Sequence, residues 1–306
     1  MSKQTKTMET KIDVMIVGSQ KAATTGLLTL LGTHPEVEIQ THTECVFFSK
    51  NDEFNRGLEW MRWKYFSGIN ESRKIITKDI NLFRNRAGIE RMVGTFPRIQ
   101  IVTMIRNPVD RAYSAFWYNK KMGIENSKTF EEAISKNLFS GKEEDIDGER
   151  AKGYLFNGDY MSHICLVNKY VKENQHTILV AEEFFNDSIK ATIGILSDLE
   201  LVGEGLDADK INQNKGGASV YPWVNTLLST SRKTPDMIKQ PLRRILGPKN
   251  ITKIKQNIKK FNTRKENVRS KMSEQLQNDL FDYFLKKNKG LSSLVKTNIS
   301  WVKNCC

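Results

Sequence analysis

The feature that most constrains the fold is a short apolar run that ends in a glycine and precedes a loop and a helical pattern. Residues 12–17 are IDVMIV and are followed by Gly18, which is typical of a strand buried on both faces of a parallel sheet. After the loop, the TTGLLTLLG stretch predicts a helix from Thr24 that stops at Gly32. A strand, a tight loop and a helix in this order open many nucleotide-binding α/β folds.

Further strands and helices alternate along the chain. Residues 99–105 (IQIVTMI) predict a second buried strand, and a helix over 109–121 follows an Asn-Pro turn. A helix over 160–173 leads into a third strand at 177–181. The sequence therefore predicts the α/β class, with a P-loop-like parallel β-sheet flanked by helices.

The C-terminal third is basic and carries most of the net charge of +13. Residues 231–266 contain twelve lysines and arginines against two acids, and an amphipathic helix is predicted at 273–287. A charge run is usually a solvated helical face, but this one also suits an anionic substrate. We expect one domain over 1–306, with a flexible tail at about 1–10 and a helical extension at about 225–306.

Several classes of protein are excluded by composition. No apolar run approaches the roughly 18 residues of a membrane helix, and the polar N-terminus lacks a secretory signal. Cys45 and Cys165 stand alone, without CxxC pairs or interleaved histidines, so no metal site is expected. We expect reduced thiols and a cytoplasmic location. Cys305 and Cys306 are predicted as exposed thiols on a tail, with lipidation as the alternative.

The loop after the first strand has the composition of a phosphate cradle. Residues 18–25 are GSQKAATT, so backbone amides at a helix N-terminus, a lysine at Lys21 and two hydroxyls can surround an anion. A Walker A loop needs lysine directly before Ser or Thr, whereas Lys21 lies three residues before Thr24. The loop therefore predicts phosphate or sulfonate binding without an obligatory metal; an ordinary βα turn is the alternative.

A second motif, RNPVDRAYS, follows the strand at 99–105. Arg106 offers a fork of donors at the end of the strand, and the hydroxyl of Ser114 follows on the second turn of the helix. The alternative is a surface ion pair and a helix-packing serine. Two anion-binding motifs at two strand ends suit a nucleotide that is phosphorylated at two places.

At this point the sequence resembles the sulfotransferases that use PAPS (3′-phosphoadenosine 5′-phosphosulfate), and most closely their carbohydrate branch, the heparan sulfate N- and O-sulfotransferases. In that family the first loop binds the 5′-phosphosulfate and the Arg–Ser pair binds the 3′-phosphate. The resemblance implies PAPS as donor, PAP as product, no metal, and these donor-binding residues: Lys21, Ala22, Ala23, Thr24, Thr25, Arg106 and Ser114. Ala23 departs from the glycine that many members carry.

The resemblance also implies catalytic residues. Residues 44–48 (ECVFF) are similar to the family's E-x-x-F-F segment, which assigns Glu44 as the general base that deprotonates the acceptor. The aromatic pair could hold Glu44 in a partly apolar pocket and raise its pKa. His163, in a G-x-Y-x-x-H stretch, matches an auxiliary catalytic histidine, and Lys78 matches a lysine that approaches the acceptor. The alternatives are a surface glutamate and a structural histidine.

A later loop is expected to close over the donor. By resemblance, Lys215, Gly216 and Gly217 cover the 3′-phosphate and the adenine. The acceptor is expected to be a hydroxyl or an amine of a glycan, although a lipid, a peptide tyrosine or a small metabolite is left open. Four aromatic side chains could stack on sugars or pack in the core: Trp60, Trp63, Trp117 and Tyr118.

Two other functions compete with a sulfotransferase that acts by in-line displacement. An ATP-dependent kinase would need a Walker-type Lys-Ser/Thr pair, which the loop lacks. A non-enzymatic polyanion or nucleic-acid binder would use the basic segment and leave both phosphate motifs unexplained. We therefore expect a sulfotransferase of the EC 2.8.2 type with no nucleic-acid partner.

Overall fold

The computed structural model describes residues 11–40, 44–139, 153–210, 218–219, 263–264, 271–295 and 297–305. The chain divides into two compact units, each made of segments that are distant in sequence. Unit 1 comprises Met1–Arg111, Asn157–Gln213 and Phe281–Cys306, and unit 2 comprises Ala112–Phe156 and Asn214–Leu280. A single domain over 1–306 stays a prediction.

Unit 1 is built on a five-stranded sheet in the order β2-β3-β1-β4-β5, and every neighbouring pair is parallel. Its strands are β1 Val14–Gly18, β2 Val37–Ile39, β3 Lys74–Lys78, β4 Gln100–Ile105 and β5 His176–Val180. The predicted parallel sheet is confirmed, and the three strands predicted from apolar runs lie within two residues of β1, β4 and β5. A two-residue antiparallel pair joins β6 (Ala218–Ser219) to β7 (Thr263–Arg264).

Helices connect these strands and precede the C-terminus. They are α1 Thr24–Leu31, α2 Asn51–Phe54, α3 Leu58–Tyr65, α4 Arg86–Thr95, α5 Pro108–Lys121, α6 Phe130–Phe139, α7 Tyr160–Asn168, α8 Ala181–Asn186, α9 Ser188–Asp198, α10 Glu274–Lys287, α11 Leu291–Leu294 and α12 Ser300–Lys303. Short 3₁₀ turns occur at Leu82–Arg84, Phe156–Gly158 and Glu173–Gln175. The ends of α1, α5 and α10 agree with the sequence prediction to within one residue.

Helix α7 ends five residues earlier than the predicted 160–173. After α7 the Tyr170 amide donates to the Val167 carbonyl at 3.0 Å, which closes a turn. The chain then brings the Gln175 amide nitrogen to the carbonyls of Pro97 and Ile99, at 2.9 and 3.2 Å. These tertiary hydrogen bonds hold the entry to β5, so the helical pattern does not continue.

Strand β1 is the centre of the hydrophobic core. Its side chains alternate, with Met15 and Val17 in one buried cluster and Val14 and Ile16 in another. Helices α3, α4 and α7 cover the first face, and α1, α8 and α9 cover the second. This burial on both faces explains the unbroken apolar run of the strand.

The strand order places a reversal of direction beside β1. From β1 the chain runs to β2 at one edge and returns to β3 beside β1, and it then passes to β4 and β5 on the other side of β1. In open parallel sheets, ligands bind outside the carboxyl ends of the strands at such a reversal. A register shift between Ile16 and Gly18, with the Ser19 amide donating to the Met104 carbonyl at 2.6 Å, redirects the chain at this edge.

Several predictions fall outside the described residues. These are the Lys215, Gly216 and Gly217 loop and, except for β7, the basic segment at 231–266. The prediction of an exposed thiol at Cys305 is wrong: Cys305 is 2% exposed and its thiol lies 3.2 Å from the Trp301 carbonyl. Cys306 lies outside the described part. Within that part, no helix combines the length and the apolarity needed to cross a bilayer.

A substitution at Gly18 tests how closely the end of β1 packs against Phe83. A Cβ added at Gly18 would lie 2.7 Å from the Phe83 side chain, too close for an ordinary contact. We expect Gly18→Ala to lower the free energy of unfolding by about 1–3 kcal/mol. Gly94→Ala on α4 is the control, since no atom lies within 4 Å of its added Cβ. Urea unfolding measures both variants, and equal stability for the two would contradict the close packing.

Candidate active site

The loop between β1 and α1 has the backbone of an anion cradle. Lys21 and Ala23 both have positive φ, at 70° and 65°, while Ala22 between them does not. Such alternation turns successive N–H groups toward one point, and the first amides of α1 add to it. The Ala22 amide closes a turn onto the Ser19 carbonyl at 3.2 Å. Because Ala23 is in the left-handed region, a glycine at this position would remove strain.

Arg106 lies beside this loop at the carboxyl end of β4. Its Nη1 donates to the Lys21 carbonyl at 3.3 Å, and its guanidinium carbon is 5.8 Å from the centroid of the Phe185 ring. The Tyr160 hydroxyl donates to the Arg106 carbonyl at 2.7 Å and holds the strand end from α7. The structure therefore brings the first residue of the second motif to the first motif. Ser114 lies half-buried on α5 in unit 2, and its convergence with Arg106 stays a prediction.

Asn107 and Glu182 hold the turn after Arg106. A carboxylate oxygen of Glu182 accepts the Asn107 amide at 2.8 Å. The Asn107 side chain in turn accepts the amides of Val109 and Asp110, at 3.0 and 3.3 Å, and so caps the start of α5. Sequence reasoning gave Asn107 no role, although Asn before Pro is itself a helix-start signal.

Lys78, the last residue of β3, joins the loop to the predicted base. Its ammonium nitrogen lies 2.7 Å from the Thr25 hydroxyl and 3.6 Å from a carboxylate oxygen of Glu44. Lys78 is part-buried and Glu44 about one-quarter exposed at the side chain. Burial raises the pKa of Glu44 above its ordinary value, and the Lys78 charge opposes that shift. A carboxylate, an ammonium and a hydroxyl thus meet at the sheet edge.

The segment that carries Glu44 is held by a backbone hydrogen bond and by two buried aromatic rings. The Cys45 amide donates to the Lys78 carbonyl at 2.9 Å, which ties the segment to the end of β3. Phe47 and Phe48 are fully buried, and their rings meet edge to face at 5.0 Å. The predicted aromatic pair therefore belongs to the core and fixes Glu44 at its border.

His163 lies inside the molecule on α7 and is 4% exposed. Its ring packs edge to face on Phe83 at 5.1 Å, and the Phe83 side chain also lies close to the backbone at Gly18. One aromatic ring therefore separates His163 from the start of the loop. Its catalytic role stays a prediction.

Asp79 follows Lys78 and received no role in the sequence prediction. It is fully buried, and its amide donates to the Ile16 carbonyl at 3.0 Å. One carboxylate oxygen accepts the Asn81 amide and side-chain nitrogen, at 3.0 and 3.1 Å. Burial raises the pKa of Asp79 to about 6, hydrogen bonds from Ser49 and Asn81 oppose the shift, and the nearby charge of Glu44 adds to it. An acid at the carboxyl end of a parallel strand was the available sequence signal.

The described residues contain no group of three or more His, Cys, Asp or Glu side chains arranged to hold a metal ion. Apart from the carboxyl groups of Glu44 and Asp79, the polar groups named at the sheet edge are cations, hydroxyls and backbone amides around Lys21, Thr25, Lys78 and Arg106. Such a donor set binds anionic oxygens.

Comparison with known families identifies the family of the chain. Residues 11–200 match the profile of the family described as the sulfotransferase domain. The chain belongs to the sulfotransferase domain family. The match includes both phosphate motifs, Glu44, Lys78 and His163.

Curated relatives resemble this chain over part of its length. A bifunctional heparan sulfate N-deacetylase/N-sulfotransferase 1 from Caenorhabditis briggsae is 32% identical over 108 residues, which are 34% of this chain and 12% of that protein. The human N-deacetylase/N-sulfotransferase 3 is 27% identical over 157 residues, or 49% of this chain and 18% of that protein. The chain thus matches less than one-fifth of the length of these relatives.

A solved structure shows the same fold. The crystal structure of a sulfotransferase from Alicyclobacillus acidocaldarius superposes with a TM-score of 0.67, covering 96% of this chain and 99% of that one at 18% identity. This likeness concerns the fold alone and agrees with the helix-flanked parallel sheet described above.

The titration of Asp79 predicts how stability depends on pH. Because its pKa is raised from 3.8 to about 6, the folded protein holds the proton more tightly than the unfolded chain. The favourable contribution of protonated Asp79 to the free energy of unfolding is complete below pH 4. It is lost as the pH rises to 6 and above, a change of about 3 kcal/mol. Asp79→Asn should therefore gain stability relative to the wild type between pH 4 and pH 8. Urea unfolding at both pH values measures this gain, and a pH-independent difference would contradict the prediction.

Proposed function

We propose that this protein transfers the sulfonyl group of PAPS to a hydroxyl or amine of a glycan acceptor. The observation that carries the proposal is the position of the Lys78 ammonium between Thr25 of the donor loop and Glu44. A cation at this point can neutralise charge on a transferring group while a carboxylate accepts the proton of the acceptor. Membership of the sulfotransferase domain family supports the same reaction.

The loop and the end of β4 fit the two anionic ends of the donor. The alternating backbone of Lys21, Ala22 and Ala23 and the hydroxyls of Thr24 and Thr25 would hold the 5′-phosphosulfate. Arg106, with Ser114, would hold the 3′-phosphate, and Lys215, Gly216 and Gly217 are proposed to close over it. When bound, PAPS supplies an activated sulfonyl group attached to a good leaving group.

The chain's own residues perform the remaining steps. Glu44 takes the proton of the acceptor as the acceptor's oxygen or nitrogen forms its bond to sulfur. The bond from sulfur to the bridging oxygen of the donor breaks in line, and PAP leaves with that electron pair. Lys21 and Lys78 stabilise the negative charge that grows on the leaving group and on the sulfonyl oxygens. His163 is proposed to assist the reaction from its position against the Phe83 ring.

Glu44 has the electrostatic surroundings that a base requires. Burial raises the affinity of its carboxylate for a proton, while Lys78 keeps the charged form accessible. A base with a pKa raised toward the working pH transfers protons more effectively than an ordinary surface glutamate.

An aromatic surface on α3 supports a glycan as the acceptor. The rings of Trp60 and Trp63 lie 4.9 Å apart, and Trp63 is 65% exposed. The guanidinium of Arg56 covers Trp60 at 4.6 Å, and the Trp60 indole N–H donates to Glu53 at 3.0 Å, so the surface is rigid. Trp60 is part-buried and covered, so it supports the exposed ring of Trp63, which can stack on a sugar ring. The names of the curated relatives specify heparan sulfate as the substrate of those proteins.

The other two aromatic candidates lie on α5 in unit 2. Trp117 packs at 5.3 Å from Phe116 and 6.2 Å from Tyr113, as a residue at the border of a core does. Tyr118 is 40% exposed. The proposed reaction uses no metal. The proposal also places the protein in the cytoplasm, without a nucleic-acid partner.

Glu44→Gln tests the base. We expect kcat for sulfonyl transfer from PAPS to fall by roughly 10²–10⁴-fold, because the amide cannot accept the acceptor's proton. The affinity for PAP should stay within about twofold by calorimetric titration. Glu38→Gln, which alters an exposed ion pair with Arg73, is the matched control and should keep full activity. Full turnover by Glu44→Gln would refute the assignment.

Arg106→Ala tests the 3′-phosphate site. Loss of a charged donor should weaken PAP binding by roughly 10- to 100-fold, whereas AMP, which lacks the 3′-phosphate, should bind the two proteins alike. Arg73→Ala is the control, because Arg73 is exposed and precedes β3 at the opposite edge of the sheet. Titrations in EDTA should also show that the wild type prefers PAP to ATP. Tighter ATP binding would favour the kinase alternative.

A further inference from the structure

Asp79 follows Lys78 at the end of β3, next to the segment that carries Glu44. The hydrogen bond from the Cys45 amide to the Lys78 carbonyl joins the two segments, and Glu44 and Asp79 flank this bond. Asp79 is 0% exposed, and the described residues bring no cation into ion-pair contact with it. Its carboxyl therefore has the Ser49 hydroxyl and the Asn81 amides as donors but no charge partner of its own, which is a costly arrangement for a buried acid.

Four titratable side chains lie near Asp79. Glu44 and Cys45 approach from the segment before Phe47, Tyr65 approaches from α3, and Lys78 precedes it on β3. Burial raises the pKa of the Cys45 thiol and of the Tyr65 hydroxyl, so both stay protonated through neutral pH. Among these neighbours, the titration between pH 4 and pH 8 is therefore shared by the two carboxyl groups.

We propose that Asp79 is a positioning residue whose buried carboxylate increases the basicity of Glu44 and thereby sets the working pH of the reaction. The inference rests on the proposed function, because it assigns how the base of that reaction is tuned. A second negative charge beside Glu44 makes a proton on Glu44 more favourable. Charged Asp79 thus strengthens the base without touching acceptor or donor.

The order of ionisation follows from the contacts. Glu44 has Lys78 as a counter-charge and partial access to water, whereas Asp79 has neither, so Glu44 loses its proton first as the pH rises. Asp79 ionises second and does so next to a charge already present, which agrees with its pKa near 6. Activity should therefore rise in two steps, a lower one from Glu44 and an upper one from Asp79.

The first test is the pH profile of turnover. Wild type and Asp79→Asn are assayed with saturating PAPS and de-N-sulfated heparin, a glycan that offers both amines and hydroxyls, from pH 4.5 to 8.5. We expect the variant to lack the upper step and to have a kcat roughly three- to tenfold lower at pH 8, with an unchanged KM for PAPS. A merely structural role would lower kcat equally at every pH and would leave both steps, which would overturn the proposal.

Asp13→Asn is the matched control. Asp13 also carries a carboxylate that accepts a backbone amide of the sheet, that of Ile75 at 2.8 Å, but it lies at the amino end of β1. Its removal deletes the same charge at the opposite edge, so both steps should remain. Loss of the upper step in this control would mean that net charge alone shapes the profile and would overturn the proposal.

A second measurement needs neither turnover nor a folded variant at position 79. Carbon-13 carboxyl spectra of wild-type protein follow Glu44, assigned by its loss in Glu44→Gln. The Glu44 signal should show a second inflection near pH 6 as Asp79 ionises, and a single inflection would overturn the proposal. If the wild type neither binds PAP nor turns over but shows both inflections, the proposed reaction fails while the coupling of the two carboxyl groups stands.

Discussion

The burial of β1 on both faces is the constraint on which the rest of the structure depends. A strand with five buried residues needs helices on both sides, and parallel neighbours joined by those helices satisfy this need. The central position of β1 then forces the chain to build one side of the sheet before the other. The loop after β1 consequently meets the end of β4, where Arg106 contacts the Lys21 carbonyl. Apolar packing, rather than attraction between polar groups, assembles the anion-binding edge.

The surroundings of Glu44 at this edge have opposing effects on its pKa. Burial favours the protonated form of Glu44, and Lys78 favours the charged form. Lys78 is also hydrogen-bonded to Thr25, so the same ammonium links Glu44, the proposed base, to the loop after β1. Asp79 adds a negative charge from within the core. These opposing effects suit the proposed proton abstraction, since burial strengthens the affinity of the Glu44 carboxylate for a proton while Lys78 favours its charged form.

The sequence predicts some elements of this structure much better than others. Strands β1, β4 and β5 follow from continuous apolar runs, which periodicity identifies without tertiary information. Strand β2 has three residues and β3 has lysines at both ends, so neither gives such a signal. Consequently Lys78 was singled out by its resemblance to a family lysine, but its position at the end of a strand was not predicted. Asp79 was overlooked because its burial depends on the segment that carries Glu44, more than thirty residues earlier in the chain.

The sequence by itself determined the parallel α/β class, the two anion-binding motifs and the resemblance to sulfotransferases, because each depends on residues that are close together along the chain. The tertiary structure alone decided that Lys78 lies between Thr25 and Glu44, that Asp79 is buried beside the segment that carries Glu44, and that Lys21 and Ala23 adopt positive φ. These features depend on strand order and register, which bring distant segments to one edge. A carboxyl's proton affinity is set there, by neighbours that sequence spacing does not reveal.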